Sequence, residues 1–455
     1  MLLSRESFFL RSRDDAAVSR TLDVVRRDAA TPDVNLVPAV LDAVKARATV
    51  GEVMNALGVD AMTAHWEFTY GAKRVEELVR QLKFPFLAGN VKEKNWGDQV
   101  FEPSNIFAPG DLSVAVIGQA FPYTPIANPR YLIPDWSFGI EEKKLADKVV
   151  SLRDSGVDLV ILLSHNGFDV DRKLAARVKG IDVILTGHTH DALPHVVKVG
   201  DTLLVAAGSH GKFLARLDLE VKEQKVVDYA FRLIPVLADA ITPDPDMAAL
   251  IREIRQPHDD VLGKVLGTTE SVLYRRGNFN GTFDDLICQA LIAERDVEIA
   301  LSPGFRWGSS LLPGQPITGD DLFNQTAITY PNAYRTEMTG AYLKDVLEDV
   351  ADNLFNPDPY YQQGGDMVRA GGLAYTIDVA KPMGQRISDL TLLRTGEKID
   401  AARKYTVSGW ASINENTEGP PVYDVVARHL ARTKTVRLEP NRHVRVLGAD
   451  AAGME

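Results

Sequence analysis

Apolar and polar positions alternate in blocks along the middle of the chain. From about residue 112, "LSVAVIGQAF" reads as a buried strand. "IEEKKLADKVVSLRDSG" then places Leu145, Val149 and Leu152 at i, i+4 and i+7. That spacing predicts an amphipathic helix, with Gly156 suited to the C′ position. "VDLVILLSHNG" predicts the next strand, "DRKLAARVKG" a short helix and "IDVILTGHTH" a further strand. "DTLLVAAGSHG" and "KFLARLDLEV" follow as strands. Strand and helix in alternation predict an α/β layered domain built from βαβ units.

The pattern changes near 235, where a Pro-rich entry leads into a long helical stretch. A second α/β region follows, in "TFDDLICQALIAERDVEIAL", "GAYLKDVLEDVADNLF", "LAYTIDVAKP", "ISDLTLL" and "KYTVSGWASI". The expected organisation is an atypical segment over 1–50, a first domain over 51–235, a helical connector over 236–262 and a second domain over 263–455. The opening segment has helical spacing in "VPAVLDAVKA" and no recognisable motif.

Length agrees with this division, since 455 residues are too many for one ordinary core. A net charge of −11 argues against a nucleic-acid partner, whose affinity would come from Lys and Arg on phosphates. The single cysteine, Cys288, forms no intrachain disulfide and leaves the compartment open. No apolar run is long enough to span a bilayer. At the N-terminus, Arg11, Arg13, Asp14 and Asp15 follow Phe8–Leu10 at once, so no export signal is recognised there.

Candidate chemistry enters at the strand ends. In open α/β sheets, ligands sit at the carboxyl ends of strands. Here those ends carry "SHNG", "GHTHD" and "GSHG", which bring His165, His188 and His190 to one edge, with His210 a further candidate. Five of the nine histidines lie between 165 and 210, which favours a metal site over scattered solvated side chains. Imidazole suits Zn, Mn, Fe and Cu, and a site of this kind suits a hydrolytic pair of ions.

"SHNG" followed by "GIDVILTGHTHD" resembles the calcineurin-like metallophosphoesterases. "SPGFRWGSSLLPGQPITGDDL" and "GGLAYTIDVAKPMGQRISDL" resemble the second domain of 5′-nucleotidases. Within that superfamily, "TAHWEFTYGAKRV", "GQAFPYTPIANPRYLIPDWSFGI", "LYRRGNFNGTFDDLICQAL" and "NPDPYYQQGGDMVRAGG" resemble the SoxB-type thiosulfohydrolases, from about residue 50 to the end. The resemblance implies a metallophosphoesterase-like α/β domain followed by a 5′-nucleotidase-type C-terminal domain. It implies hydrolysis of an S-sulfonate on a cysteine arm of the SoxYZ carrier protein, releasing sulfate, with a pair of manganese ions, in the periplasm.

Carried over by motif, His65, His165 and His188 belong to one metal and His190 to the other. Trp66 stands where nucleotidases have a histidine that acts at the leaving group. An indole cannot supply a proton, which fits departure of a low-pKa sulfur anion better than of an alkoxide. Packing is the alternative role for Trp66. Asn90, Asn166 and Asp169 are candidates for orienting the histidines, and equally for turn residues. Asn166 is also a catalytic candidate. Arg306 matches an arginine on the substrate side, where its planar fork suits a sulfonate or phosphate; a surface salt bridge is the alternative. Tyr360, Tyr361, Gly364, Gly365, Asp366 and Trp410 are placed along a narrow channel for the arm, with core packing as the alternative for the aromatics. His195, His258, His429 and His443 match no motif.

The pattern breaks before His65. The superfamily's first metal uses an Asp-x-His and a bridging Gly-Asp, and neither precedes His65 here. The expectation is a domain incomplete at its start, short of central strands, with His190 nearly alone and one metal ion or none. The competing readings are a 5′-nucleotidase or other phosphoesterase, a metal-deficient carrier-binding homologue, and a nonfunctional truncated product.

Overall fold

The computed structural model describes residues 15–29, 59–237, 255–275, 277–305 and 308–449. The helical spacing expected over 37–46 lies outside them, as do Arg306 and most of the expected connector. The chain divides into two compact units, one of residues 1–126 and 130–257, the other of residues 127–129 and 258–455. No helix among the described residues is long and apolar enough to cross a membrane.

The first unit contains α1 (Asp15–Ala29), α2 (Ala72–Val79), α3 (Glu142–Asp154) and α4 (Phe168–Arg177). Its main sheet has six strands: β1 (Ser104–Phe107), β2 (Val114–Gln119), β3 (Leu159–Ser164), β4 (Val183–Thr186), β5 (Val197–Val199) and β6 (Thr202–Val205). The spatial order is β1-β2-β3-β4-β6-β5. The four inner strands are parallel and the two edges antiparallel. Inner strands covered on both faces read as nearly continuous apolar runs, and "VAVIGQ" and "LVILLS" do. Leu145, Val149 and Leu152 are the buried positions of α3, as their spacing predicts. Gly156 follows at φ 88, where a glycine C′ residue ends a helix without strain.

After β6, Phe213–Lys222 and Lys225–Pro235 form a separate antiparallel ribbon. Its two turn residues, Glu223 and Gln224, both have positive φ (51 and 59), as a type I′ turn requires.

The second unit holds a four-stranded sheet in the order 334–339, 404–409, 299–304, 366–371. The helix Thr282–Arg295 buries Phe283, Leu286, Ile287, Ala290 and Leu291 in a core shared with Val422, Val425, Val426 and Leu430. A buried ion network crosses this unit. Asp284 takes Arg275 Nε at 2.8 Å and Arg369 Nε at 3.2 Å, and Arg369 Nη2 meets Asp366 at 3.0 Å. Arg275 also donates to the carbonyls of Gln325 and Pro303, and Arg369 to those of Gly277, Asn278 and Met367. Two arginines are tolerated in this interior because their fixed forks find carboxylate or carbonyl acceptors.

Removing the central acid separates this network from a surface pair. Asp284→Ala leaves two buried guanidiniums short of a partner and should destabilise the second unit by about 3–5 kcal/mol in denaturant unfolding. Asp218→Ala, which removes an exposed pair with Arg216, should cost under about 1 kcal/mol.

Candidate metal centre

The parallel strands deliver the histidines to one edge. β3 ends at Ser164 and is followed by His165; β4 ends at Thr186 and is followed by Gly187 and His188. The ladder continues past the strand ends. His165 N donates to Gln119 O, and Gly187 N to Ser164 O, both at 2.9 Å. His65 comes from elsewhere, just before a 3₁₀ turn at Trp66–Tyr70. Its N–H donates to Glu67 Oε2 at 2.8 Å, and the neighbouring Ala64 carbonyl accepts from Phe121 N at 3.1 Å.

One nitrogen from each of His65, His165 and His188 lies within 4.8 Å of the others. His65 Nδ1 and His165 Nε2 are 3.2 Å apart. Phe121 closes one side, its ring 4.2 Å from that of His65 and stacked on His188 at 4.1 Å between centroids. The Trp66 ring lies 5.1 Å from His65.

Burial favours the neutral form of His65 and His165. It is the largest cause pushing His165 down to about 3, with His188 and His190 adding to it. His65 is lowered well below its ordinary value by burial, then by His188, His165 and His190. Neutral imidazoles carry free lone pairs, and three imidazole rings converge here in a partly apolar surround. That donor set fits one transition-metal ion.

Backbone geometry supports the convergence. A Cβ on Gly187 would stand 3.1 Å from His165 Nδ1, so a side chain there would displace the ring. His188 and His190 occupy the left-handed region at φ 79 and 61, as does His210 at 57. Such positions in non-glycine residues cost about 1–3 kcal/mol each and tend to cluster at functional sites.

The structure therefore brings His65, His165 and His188 together and leaves His190 outside that group. The His190 ring lies 5.5 Å from that of His210. Trp66 adjoins the cluster. Asn90 is turned to the backbone: its amide exchanges hydrogen bonds with Ala120 and donates to Gly139 O. It thereby fixes the segment that leads into Phe121. Asn166 is buried, donating to Gln119 Oε1 at 2.7 Å and to Asp171 Oδ1 at 2.9 Å. Both partners are acceptors, which fixes its amide orientation; its Oδ1 is buried without a hydrogen bond in the protein. The Asp169 carboxyl is raised by burial and by Asp191, with Arg172 opposing.

In the second unit, Tyr361 is exposed, Tyr360 half-buried, and Gly364 and Gly365 have positive φ (78 and 87). Asp366 and Trp410, expected along a channel, are instead interior groups. Asp366 is paired with Arg369, and Trp410 is 3 % exposed with its indole N–H on Ser302 Oγ at 2.8 Å. The ion network and the core around Phe305 draw these side chains inward.

Sequence reasoning missed Asp171 and Phe121. Asp171 does carry a signal: it lies on the buried stripe of α4 with Leu174 and Ala175. An acid in an apolar stripe calls for partners.

Residues 264–427 match the family model described as 5′-nucleotidase, C-terminal domain. The sulfate thiohydrolase SoxB of Thermus thermophilus is 37% identical, with a TM-score of 0.83 over 90% of this chain and 77% of that one. The chain belongs to the SoxB-type branch of the 5′-nucleotidase superfamily. A 5′-nucleotidase precursor from the same organism shares the fold, at 21% identity and a TM-score of 0.73 over 88% of this chain and 85% of that one. Bovine 5′-nucleotidase is 28% identical over 393 residues, which cover 76% of this chain and 66% of that protein. The SoxB-type chain thus spans just under two thirds of the length of the mammalian 5′-nucleotidases it matches. Residues 6–62 match a different family model, described as methylmalonyl-CoA mutase.

A pH measurement tests the polar surround of the histidines. Burial pushes the Asp171 carboxyl up to about 6 from an ordinary 3.8, while Thr186, Asn166 and Ser164 pull it back. The folded chain then holds more protons than the unfolded chain between those values, so this group stabilises increasingly as pH falls from about 6 to about 3.8. The unfolding free energy of the wild type minus that of Asp171→Asn should rise across that window as pH is lowered. A pH-independent difference would contradict the assignment.

Proposed function

We propose that this chain is a metal-dependent hydrolase of sulfur oxidation that releases sulfate from a cysteine S-thiosulfonate on the SoxYZ carrier. One observation carries the reading: three imidazoles within 4.8 Å of one another, with Trp66 directly following one of them. The 37% identity to a sulfate thiohydrolase supports it.

His65, His165 and His188 would hold the ion, and manganese is the ion proposed. When bound, such an ion supplies Lewis-acid character, lowering the pKa of water and stabilising an anionic tetrahedral centre. The protein's own part is to keep His65 and His165 neutral, to exclude solvent on the Phe121 side and to present an indole where a phosphoesterase would want an acid. A sulfur anion of low pKa leaves without protonation, so Trp66 costs this reaction little. Arg306, Tyr360, Tyr361, Gly364 and Gly365 are proposed on the substrate side by resemblance. Asp366 and Trp410 are left out of that contact set, because their polar groups are engaged inside the second unit. His190, with His210 beside it, is the proposed start of a second ion's ligand set. A periplasmic location is proposed by analogy.

The second reading, a 5′-nucleotidase, is favoured by the curated relatives at 25–28% identity. Direct assay separates the two. With manganese present, sulfate should be released from the thiosulfonated carrier, and AMP should be hydrolysed at least about tenfold more slowly per unit of kcat/KM, since an alkoxide leaving group forgoes the general-acid contribution. Faster AMP hydrolysis than sulfate release would establish the nucleotidase reading instead.

A further inference from the structure

Beneath the histidine edge lies a buried polar group that no resemblance singles out. Asp171 sits in the first turn of α4 and is 0 % exposed. Its Oδ1 accepts from Ser164 Oγ at 2.9 Å and from Asn166 Nδ2 at 2.9 Å, and its Oδ2 accepts from Thr186 Oγ1 at 2.5 Å. Asn166 also donates to Gln119 Oε1 at 2.7 Å, and Gln119 donates to Ile140 O at 2.9 Å.

The placement of these partners is informative. Gln119, Ser164 and Thr186 are the last residues of β2, β3 and β4. Ser164 and Asn166 flank His165, and both donate to the same oxygen of Asp171. The Asn166 N–H returns to Ser164 Oγ at 3.1 Å, closing a ring around the His165 backbone. Thr186 anchors the strand two residues before His188, whose φ of 79 is held only if its surroundings fix it. One carboxylate thus ties a helix to the residues on both sides of one histidine and to the strand end that leads to another.

We infer that Asp171 is a positioning residue for the metal centre, acting through Ser164, Asn166 and Thr186 to fix the directions of His165 and His188. This rests on the metal-binding reading proposed above. A carboxylate is suited to the task because it accepts at several lone pairs, whereas all three neighbours approach as donors. An amide in its place keeps the shape but turns an NH₂ group toward one of those donors. A merely structural role predicts lower stability with an unaltered site in the folded protein.

Cobalt(II) titration of the full chain, read from the visible ligand-field band and from the dissociation constant, separates these roles. Asp171→Asn should weaken cobalt binding by about 10–100-fold, as loss of a group that orients metal ligands does, and should change the band. Thr186→Val, which removes one donor and keeps the shape, should shift both in the same direction by less, and decides the matter if Asp171→Asn does not fold. His165→Ala is the reference and should abolish the wild-type band. Wild-type affinity and band in folded Asp171→Asn and Thr186→Val, with loss in His165→Ala, would overturn the positioning role alone. Binding untouched by His165→Ala would overturn the metal centre and this inference with it.

Discussion

Parallel pairing of β2, β3 and β4 is the constraint on which the site depends. Their register runs up to Gln119, Ser164 and Thr186, and two further backbone hydrogen bonds carry it into His165 and Gly187. Parallel strands place their carboxyl ends side by side, so a histidine just past one end meets a histidine just past the next. The apolar runs that make these strands also exclude water from beneath the edge. Without that register, His165 and His188 would be two unrelated loop residues.

The same burial sets the chemistry. Burial penalises the protonated forms of His65 and His165, and repulsion from the neighbouring imidazoles adds to that penalty. These two are held as bases, and one nitrogen of each shares a common space with one of His188. The backbone accepts strain at the third ring, in the left-handed conformation of His188. A small residue at Gly187 leaves room for the His165 ring. Each feature is individually ordinary, but together they describe a preformed set of nitrogen ligands.

Much of this was legible in the sequence because it depends on local pattern. The strand-helix alternation, α3 with its Gly156 stop and the histidines past the strand ends all follow from spacing. The motif strings carried the family. Other features depend on distant partners and were not legible. Asp366 and Trp410 resemble channel residues in their own segments; Trp410 is held inward by Ser302, far away in sequence, and Asp366 pairs with the nearby Arg369, which is itself tied to the distant Asp284. Asp171 was overlooked because its meaning lies in three strand ends that only the fold brings together.

The central claim is that His65, His165 and His188 form a metal centre. The most direct test is the metal content of the folded chain, measured by elemental analysis after purification with manganese. The account predicts at least one tightly held ion per chain in the wild type and its loss in a triple His65→Ala, His165→Ala, His188→Ala variant that remains folded. A folded wild-type chain without bound metal, or equal metal in the triple variant, would contradict it.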